Sequence, residues 1–107
     1  MPATFRVEIT PAAEADIVDI WEYIAQDSPG NAATFVLSLE EQIAALEQFP
    51  ERCPRIPENE ILGTTYRHLV FGAYRTIYRI TAERVIILRV IHGARLLDAG
   101  LFGPVSG

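Results

Sequence analysis

Lysine is absent from this sequence of 107 residues, and all nine of its basic residues are arginine. A chain without lysine cannot form a Schiff base with a carbonyl substrate and cannot supply the lysine of a P-loop. Arginine instead offers a planar fork of N–H donors that suits carboxylate and phosphate groups. The composition therefore excludes Schiff-base sites and P-loop nucleotide sites. The basic side chains are instead suited to binding anions.

Cysteine and histidine are also scarce. Cys53 stands alone, so the chain cannot form an internal disulfide, and His68 and His92 are its only histidines. Two histidines without a cysteine pair are too few for a typical zinc site. The sequence contains no G-x-S-x-G, no H-E-x-x-H and no phosphate-binding glycine loop. We expect neither a metal nor a cofactor.

Long apolar runs are missing as well. No stretch approaches the roughly 20 apolar residues that a membrane-spanning helix needs, and the N-terminus lacks the apolar core of a signal peptide. Together with the single cysteine, these features predict a cytoplasmic protein that does not enter the membrane. The length of 107 residues fits one domain, spanning residues 1–107, with a single hydrophobic core.

The charge is distributed unevenly along the chain. Residues 1–51 contain ten acidic residues and one arginine, a balance of −9, and residues 52–107 contain eight arginines and four acidic residues, a balance of +4. These add up to the net charge of −5. The asymmetry predicts a basic surface for an anionic partner. Alternatively, the uneven distribution of charge arises by chance, and the use of arginine in place of lysine reflects a GC-rich genome.

Two capping pairs mark the starts of two helices. Thr10-Pro11 and Ser28-Pro29 each place a hydroxyl at the N-cap and a proline at the first helical position. We expect an apolar face of each helix to be buried, and we expect the second helix to end before Pro50. These faces consist of Ile17, Ile20, Trp21 and Ile24 in the first helix and Phe35, Val36, Leu39, Ile43 and Leu46 in the second.

Four segments have the pattern of β-strands. Residues 5–9 alternate apolar and polar side chains, and apolar segments follow the helices at 66–71, 74–81 and 84–92. The short breaks between the last three predict antiparallel hairpins, and the proline-rich segment 50–64 predicts a loop. The order β-α-α-β-β-β predicts an α+β domain, in which an antiparallel sheet packs against an N-terminal helical hairpin. Residues from about 96 to 107 form a C-terminal tail.

The last strands place basic residues near one end of the sheet. If the turn between strands 74–81 and 84–92 has two residues, Arg75 pairs with Val90. Because side chains alternate along a strand, Arg75 and His92 are then neighbours on one face of the sheet. Arg95 follows just beyond, and Arg67 lies on the adjacent strand. Such a group suits phosphate or carboxylate recognition, with a histidine able to transfer a proton near neutral pH. The alternative is a solvated face whose arginines pair with Glu58, Glu60 and Asp98.

Four segments of the chain, taken in order, carry a resemblance to a known family. They are ITPAAEADIVDIWEYI, ALEQFPERCPRIPE, YRHLVFGAYRTIYRI and VIILRVIHGAR. This series resembles the RelE/ParE superfamily of toxins from bacterial type II toxin–antitoxin modules. The fold of that family, an antiparallel sheet on a helical hairpin, agrees with the element order above.

The resemblance implies one of two activities. RelE-like members cut messenger RNA in the ribosomal A site, and ParE-like members poison DNA gyrase. A ribosome-dependent endonuclease would use Arg75, Arg95 and His92 as catalytic residues. The tyrosine of the RelE-like branch is absent after Arg95, however, and a net charge of −5 disfavours approach to the polyanionic ribosome. The resemblance therefore favours a ParE-like gyrase poison without catalytic chemistry; the alternatives are the endonuclease and a non-toxic member that only binds antitoxin.

The resemblance also implies partners. We expect a cognate antitoxin, encoded by the adjacent gene, to order on the helical hairpin and sheet edge, with its acidic groups against the arginines of residues 67–95. A higher-order toxin–antitoxin assembly and a role in plasmid stabilization follow from the same resemblance. DNA gyrase is the expected target, and the ribosome with its messenger RNA is the alternative. The residues expected to contact the target or the antitoxin are Arg67, Arg75, Arg79, His92, Arg95, Leu97, Leu101 and Phe102.

Overall fold

The computed structural model describes residues 4–97, and its first helix begins where the capping pair predicts. β1 (Arg6–Ile9) leads into α1 (Pro11–Ala25). The Thr10 hydroxyl accepts a hydrogen bond from the Ala13 N–H at 3.2 Å and donates one to the Ile87 carbonyl at 2.8 Å. One threonine side chain thus caps α1 and fastens its first turn to the sheet.

The second helix, α2 (Pro29–Ala44), completes the predicted helical hairpin. Ser28 caps it by accepting a hydrogen bond from a main-chain N–H of the first turn at 3.2 Å. Two 3-10 turns follow, at Ala45–Glu47 and Pro50–Arg52, so the helix ends before Pro50 as predicted. The fully buried Tyr78 donates its hydroxyl to the Pro50 carbonyl at 2.5 Å, which secures the second turn against the sheet.

The segment predicted as a loop contains a short helix, α3 (Asn59–Leu62). The Asn59 side chain donates to the Tyr66 carbonyl at 2.9 Å and accepts from the Tyr66 N–H at 3.0 Å and from the Thr64 hydroxyl at 2.7 Å. Gly63, at a φ of 66°, ends the helix. The prediction of a loop throughout residues 50–64 is therefore wrong at α3, because one asparagine side chain supplies partners that proline content does not reveal.

The strands form one four-stranded sheet. After β1 come β2 (Arg67–Phe71), β3 (Tyr74–Ile80) and β4 (Arg84–His92), in the spatial order β1-β4-β3-β2. The pairs β2–β3 and β3–β4 are antiparallel as predicted, whereas β1 runs parallel to β4. The sheet is thus mixed, because the long connection through the helices lets β1 and β4 run in one direction. The α+β class and the element order are confirmed.

A β-bulge in β4 alters the predicted register. Tyr78 pairs with Ile87, as a two-residue turn requires, but the next residue of β3, Ile77, pairs with Arg89. Leu88 is therefore an extra residue in β4, and the pairing beyond it is shifted by one position.

The shift separates the arginine and the histidine that were predicted to be neighbours. Arg75 faces Ile91 instead of Val90, and His92 faces Tyr74. Because side chains alternate along a strand, one inserted residue moves His92 to the other face of the sheet. The prediction that Arg75 and His92 share a face is wrong for this reason.

Both faces of the sheet are covered by apolar groups. The helical hairpin packs on one face, and a second cluster lies on the opposite face beneath the segment that precedes β2. The buried residues of this second cluster are Ile56, Ile77, Ile91 and Leu97. Leu97, predicted to belong to the tail, is therefore part of the core, whereas its neighbour Leu96 is 79% exposed. Within residues 4–97, no helix is long and apolar enough to cross a membrane.

The apolar face of α1 is narrower than its sequence pattern predicts. Ile17 and Ile20 are 8% and 6% exposed, but Trp21 is 41% exposed. The third buried residue of α1 is Ala13, and Ile24 is half-buried. Trp21 therefore lies at the edge of the buried face of the helix. The prediction that Trp21 is largely buried against the sheet is wrong.

This difference in burial leads to a prediction about stability. Ile20→Ala should lower the free energy of unfolding by about 2–5 kcal/mol, because it empties a packed position. Trp21→Ala should cost less than Ile20→Ala, because 41% of the Trp21 surface already contacts water. Urea denaturation of the two variants measures both values. Equal losses in the two variants would contradict the burial described for α1.

Candidate functional site

A buried ion pair lies on the sheet face opposite the helices. Arg75 of β3 is 5% exposed, and Glu58, which precedes α3, is 8% exposed. The Arg75 Nη1 atom donates to Glu58 Oε1 at 3.2 Å, and its Nη2 atom donates to Glu58 Oε2. The two side chains therefore form a bidentate pair, the strongest arrangement available to a guanidinium and a carboxylate.

The same pair fixes the chain after β4. Arg75 Nη2 also donates to the Arg95 carbonyl at 2.8 Å, and the Leu97 N–H donates to Glu58 Oε2 at 3.2 Å. Arg75 therefore contacts Arg95, but only at the main-chain carbonyl of Arg95. Arg95 itself is an exposed residue. The ion pair places residues 95–97, defined here as the C-terminal segment, against the sheet.

The pair shifts the pKa values of its members and neighbours. The hydrogen bond from Arg75 lowers the pKa of Glu58 from 4.5 to about 2, with help from the Leu97 N–H and against the effect of burial. His68 of β2 accepts a hydrogen bond from Arg75 Nη1 at its Nδ1 atom, at 3.2 Å. Burial, followed by the nearby charge of Arg75, lowers the pKa of His68 below its usual 6.5. At neutral pH the cluster therefore contains a carboxylate, a guanidinium and a neutral imidazole.

The other residues predicted to form a site lie apart from this cluster. Arg67 donates to the Cys53 carbonyl at 2.6 Å and to the Glu51 carbonyl at 3.1 Å, so it holds the segment before α3. Arg79 is exposed. Its side chain has no ion-pair partner within residues 4–97.

His92 lies at the end of β4 on the face that carries the helices. It is exposed, its Nδ1 atom accepts from the Ala94 N–H at 3.2 Å, and its ring contacts Tyr74 edge-on at a centroid distance of 5.8 Å. Arg75, Arg95 and His92, the set expected of an endonuclease, therefore do not converge on one point in the structure. Leu101 and Phe102 lie outside the described residues.

The two partners of Arg75 are not predicted by the sequence. The sequence predicts Glu58 only as a surface partner for arginines, and His68 only as one of too few metal ligands. The chain brings them together from positions 17 and 7 residues away from Arg75, and no local pattern connects them. Among residues 4–97, no group of three histidine, cysteine, aspartate or glutamate side chains could hold a metal ion.

The depressed pKa of Glu58 predicts how stability depends on pH. Because the pKa is lower in the folded protein, the stabilisation is complete above pH 4.5 and is lost as the pH falls towards about 2. Wild type should exceed Glu58→Gln in free energy of unfolding by about 3 kcal/mol at neutral pH, with the difference shrinking below pH 4.5. As the pH falls below 6.5, protonation of His68 destabilises both proteins, and wild type less than Glu58→Gln, because the charge of Glu58 opposes the lowering of the His68 pKa. Urea denaturation across this pH range measures the difference, and a difference independent of pH would contradict it.

Two solved structures have a fold similar to that of this chain. The structure resembles a chain of the chromosomal ParDE toxin–antitoxin system from P. aeruginosa, with a TM-score of 0.67 and 22% identity over 83% of this chain and 96% of that one. It also resembles a chain of the toxin–antitoxin complex RelBE2 from Mycobacterium tuberculosis, with a TM-score of 0.59 and 26% identity over 87% of this chain and 95% of that one. No curated protein sequence matches significantly.

A sequence match identifies the family. The family described as ParE toxin of type II toxin-antitoxin system, parDE, matches residues 7–97. These residues include both long helices, the Arg75–Glu58 pair and the C-terminal segment as far as Leu97. The resemblance to the RelE/ParE superfamily is confirmed, and the chain belongs to the ParE toxin family of type II toxin–antitoxin systems.

Proposed function

We propose that this toxin inhibits DNA gyrase and that a cognate antitoxin, the product of the adjacent gene, neutralises it. The observation that carries the proposal is the match to the ParE toxin family over residues 7–97. The two structural relatives come from systems described as toxin–antitoxin complexes or modules, which supports an antitoxin partner. The proposed site of action is the cytoplasm, and we propose that the pair forms a higher-order assembly with a role in plasmid stabilization.

The geometry of Arg75 supports gyrase inhibition over RNA cleavage. Cleavage at a phosphate requires donors that are free to bind the developing charge and a group that moves a proton. Both Nη atoms of Arg75 already donate to Glu58, and they also donate to His68 and to the Arg95 carbonyl. His92 lies on the other sheet face. A protein that acts by binding gyrase needs a shaped surface and none of these catalytic groups.

We assign different roles to the predicted site residues on this basis. Arg67, Arg75 and Leu97 position the backbone from within, because they are half-buried or buried and bonded to main-chain groups or packed in the core. Contact with gyrase or antitoxin falls to the exposed residues. These are Arg79, His92, Arg95 and Leu96. We propose a contact role for Leu101 and Phe102 as well, which lie outside the described residues.

The proposal predicts a specific outcome in vitro. The purified protein should block supercoiling of relaxed plasmid by gyrase, or trap gyrase on cleaved DNA. A defined message on ribosomes should remain intact under the same conditions. Addition of the neighbouring gene product should restore supercoiling, because it covers the surface that gyrase contacts.

Two arginine variants test where the surface lies. Arg95→Glu should weaken gyrase inhibition by at least about tenfold, because it reverses an exposed charge at the C-terminal segment. Arg55→Glu, which reverses an exposed charge in the segment before α3, should leave inhibition unchanged and serves as the control. Ribosome-dependent cleavage that is lost in Arg75→Ala would replace the proposal with the endonuclease. Antitoxin binding without either activity would indicate a non-toxic family member.

A further inference from the structure

Three N–H donors converge on the carboxylate of Glu58. Two come from the Nη atoms of Arg75, and the third is the main-chain N–H of Leu97, at 3.2 Å. A guanidinium fork supplemented by a main-chain N–H is a donor set that binds free carboxylate and phosphate groups. We infer that Arg75 and Leu97 form an anion site occupied by the protein's own Glu58, and that Glu58 keeps this site from binding phosphate.

The charge balance of the cluster depends on an anion at this position. Arg75 is 5% exposed, and its pair with Glu58 is the ion pair that compensates its charge within residues 4–97. The neighbouring His68 accepts a hydrogen bond from Arg75, and its lowered pKa keeps it neutral. Removal of the Glu58 carboxylate therefore leaves a buried cation without a counter-charge, which is strongly unfavourable. A small anion from solution would restore the balance.

Inorganic phosphate offers the donors of this site more acceptors than Glu58 does. A carboxylate presents two oxygen atoms, whereas inorganic phosphate presents four. A phosphate in the place of the Glu58 carboxylate can therefore accept from both Nη atoms of Arg75 and from the Leu97 N–H.

Contacts other than those of the Glu58 side chain also hold the walls of the site. Arg75 extends from β3 beside Ile91 of β4, and Leu97 packs in the second cluster with Ile56 and Ile77. The segment around α3 is held independently by the three hydrogen bonds of the Asn59 side chain. Truncation of Glu58 should therefore leave a preformed space lined by the same donors.

Glu58 on this account determines what Arg75 does. In this protein an internal carboxylate occupies the donors with which Arg75 could otherwise bind an anion. The inference goes beyond the proposed target, because it concerns anion binding and holds whether or not the protein inhibits gyrase.

The test compares three proteins in three salts. Wild type, Glu58→Ala and Glu58→Gln are unfolded by urea at pH 7 in inorganic phosphate, acetate or chloride of matched ionic strength. Phosphate should raise the folding equilibrium constant of Glu58→Ala in a saturable manner, by about tenfold at a concentration ten times its dissociation constant. Wild type and Glu58→Gln, whose side chains fill the site, should show only the unsaturable stabilisation that phosphate gives proteins in general. The double variant Glu58→Ala/Arg75→Met should lose the saturable response.

Each outcome bears directly on the inference. A phosphate response of Glu58→Ala no larger than that of wild type would overturn it, as would saturable stabilisation by acetate alone. If Glu58→Ala does not fold in chloride, recovery of its circular dichroism in phosphate supports the inference, and failure to fold in every salt contradicts it. Because the readout is stability, a negative supercoiling assay leaves the inference intact, and a negative phosphate response leaves gyrase inhibition intact.

Discussion

The buried pair of Arg75 and Glu58 joins three parts of the chain that are distant in sequence. Arg75 belongs to β3, Glu58 precedes α3, and both bind main-chain groups of the C-terminal segment. Two ions taken out of water contribute little net stability compared with apolar residues, but the loss of either one leaves the other uncompensated. The pair therefore specifies where the second apolar cluster and the C-terminal segment lie, more than it adds to stability.

Several arginines are engaged within the fold, and others are exposed. Arg67, Arg75 and Arg89 bind groups of the protein itself, and Arg89 forms an ion pair with Asp16 of α1 at 2.7 Å, beside the bulge in β4. Arg79 and Arg95 remain exposed. The basic character of residues 52–107 is thus partly internal, and the positive surface offered to a partner is smaller than the sequence count of eight arginines indicates.

Features of the fold that depend on neighbouring residues were predictable from the sequence. The hydroxyl–proline pairs at Thr10 and Ser28 cap the helices where predicted, because capping is a local interaction. The hairpins and the element order followed in the same way from turn residues and alternation.

Features that depend on distant contacts were not predictable. The bulge at Leu88 has no pattern of its own, yet it reverses the sheet face on which His92 lies. Trp21 fits a helical stripe and is nevertheless 41% exposed, because the position of α2 and the sheet decides how wide the buried face is. Glu58 lies 17 residues from Arg75 in sequence, so only the folded structure shows that its carboxylate forms an ion pair with the Arg75 guanidinium.

The most direct test of this account is a double-mutant cycle on the pair. The free energy of unfolding is measured at pH 7 for wild type, Glu58→Gln, Arg75→Met and the double variant. We predict that each single change lowers the free energy of unfolding by about 3–5 kcal/mol. The loss in the double variant should be clearly smaller than the sum of the two single losses, because the double variant removes both buried charges together. Losses that add to within about 0.5 kcal/mol would show that the two residues act independently, and would contradict the central role assigned to their interaction.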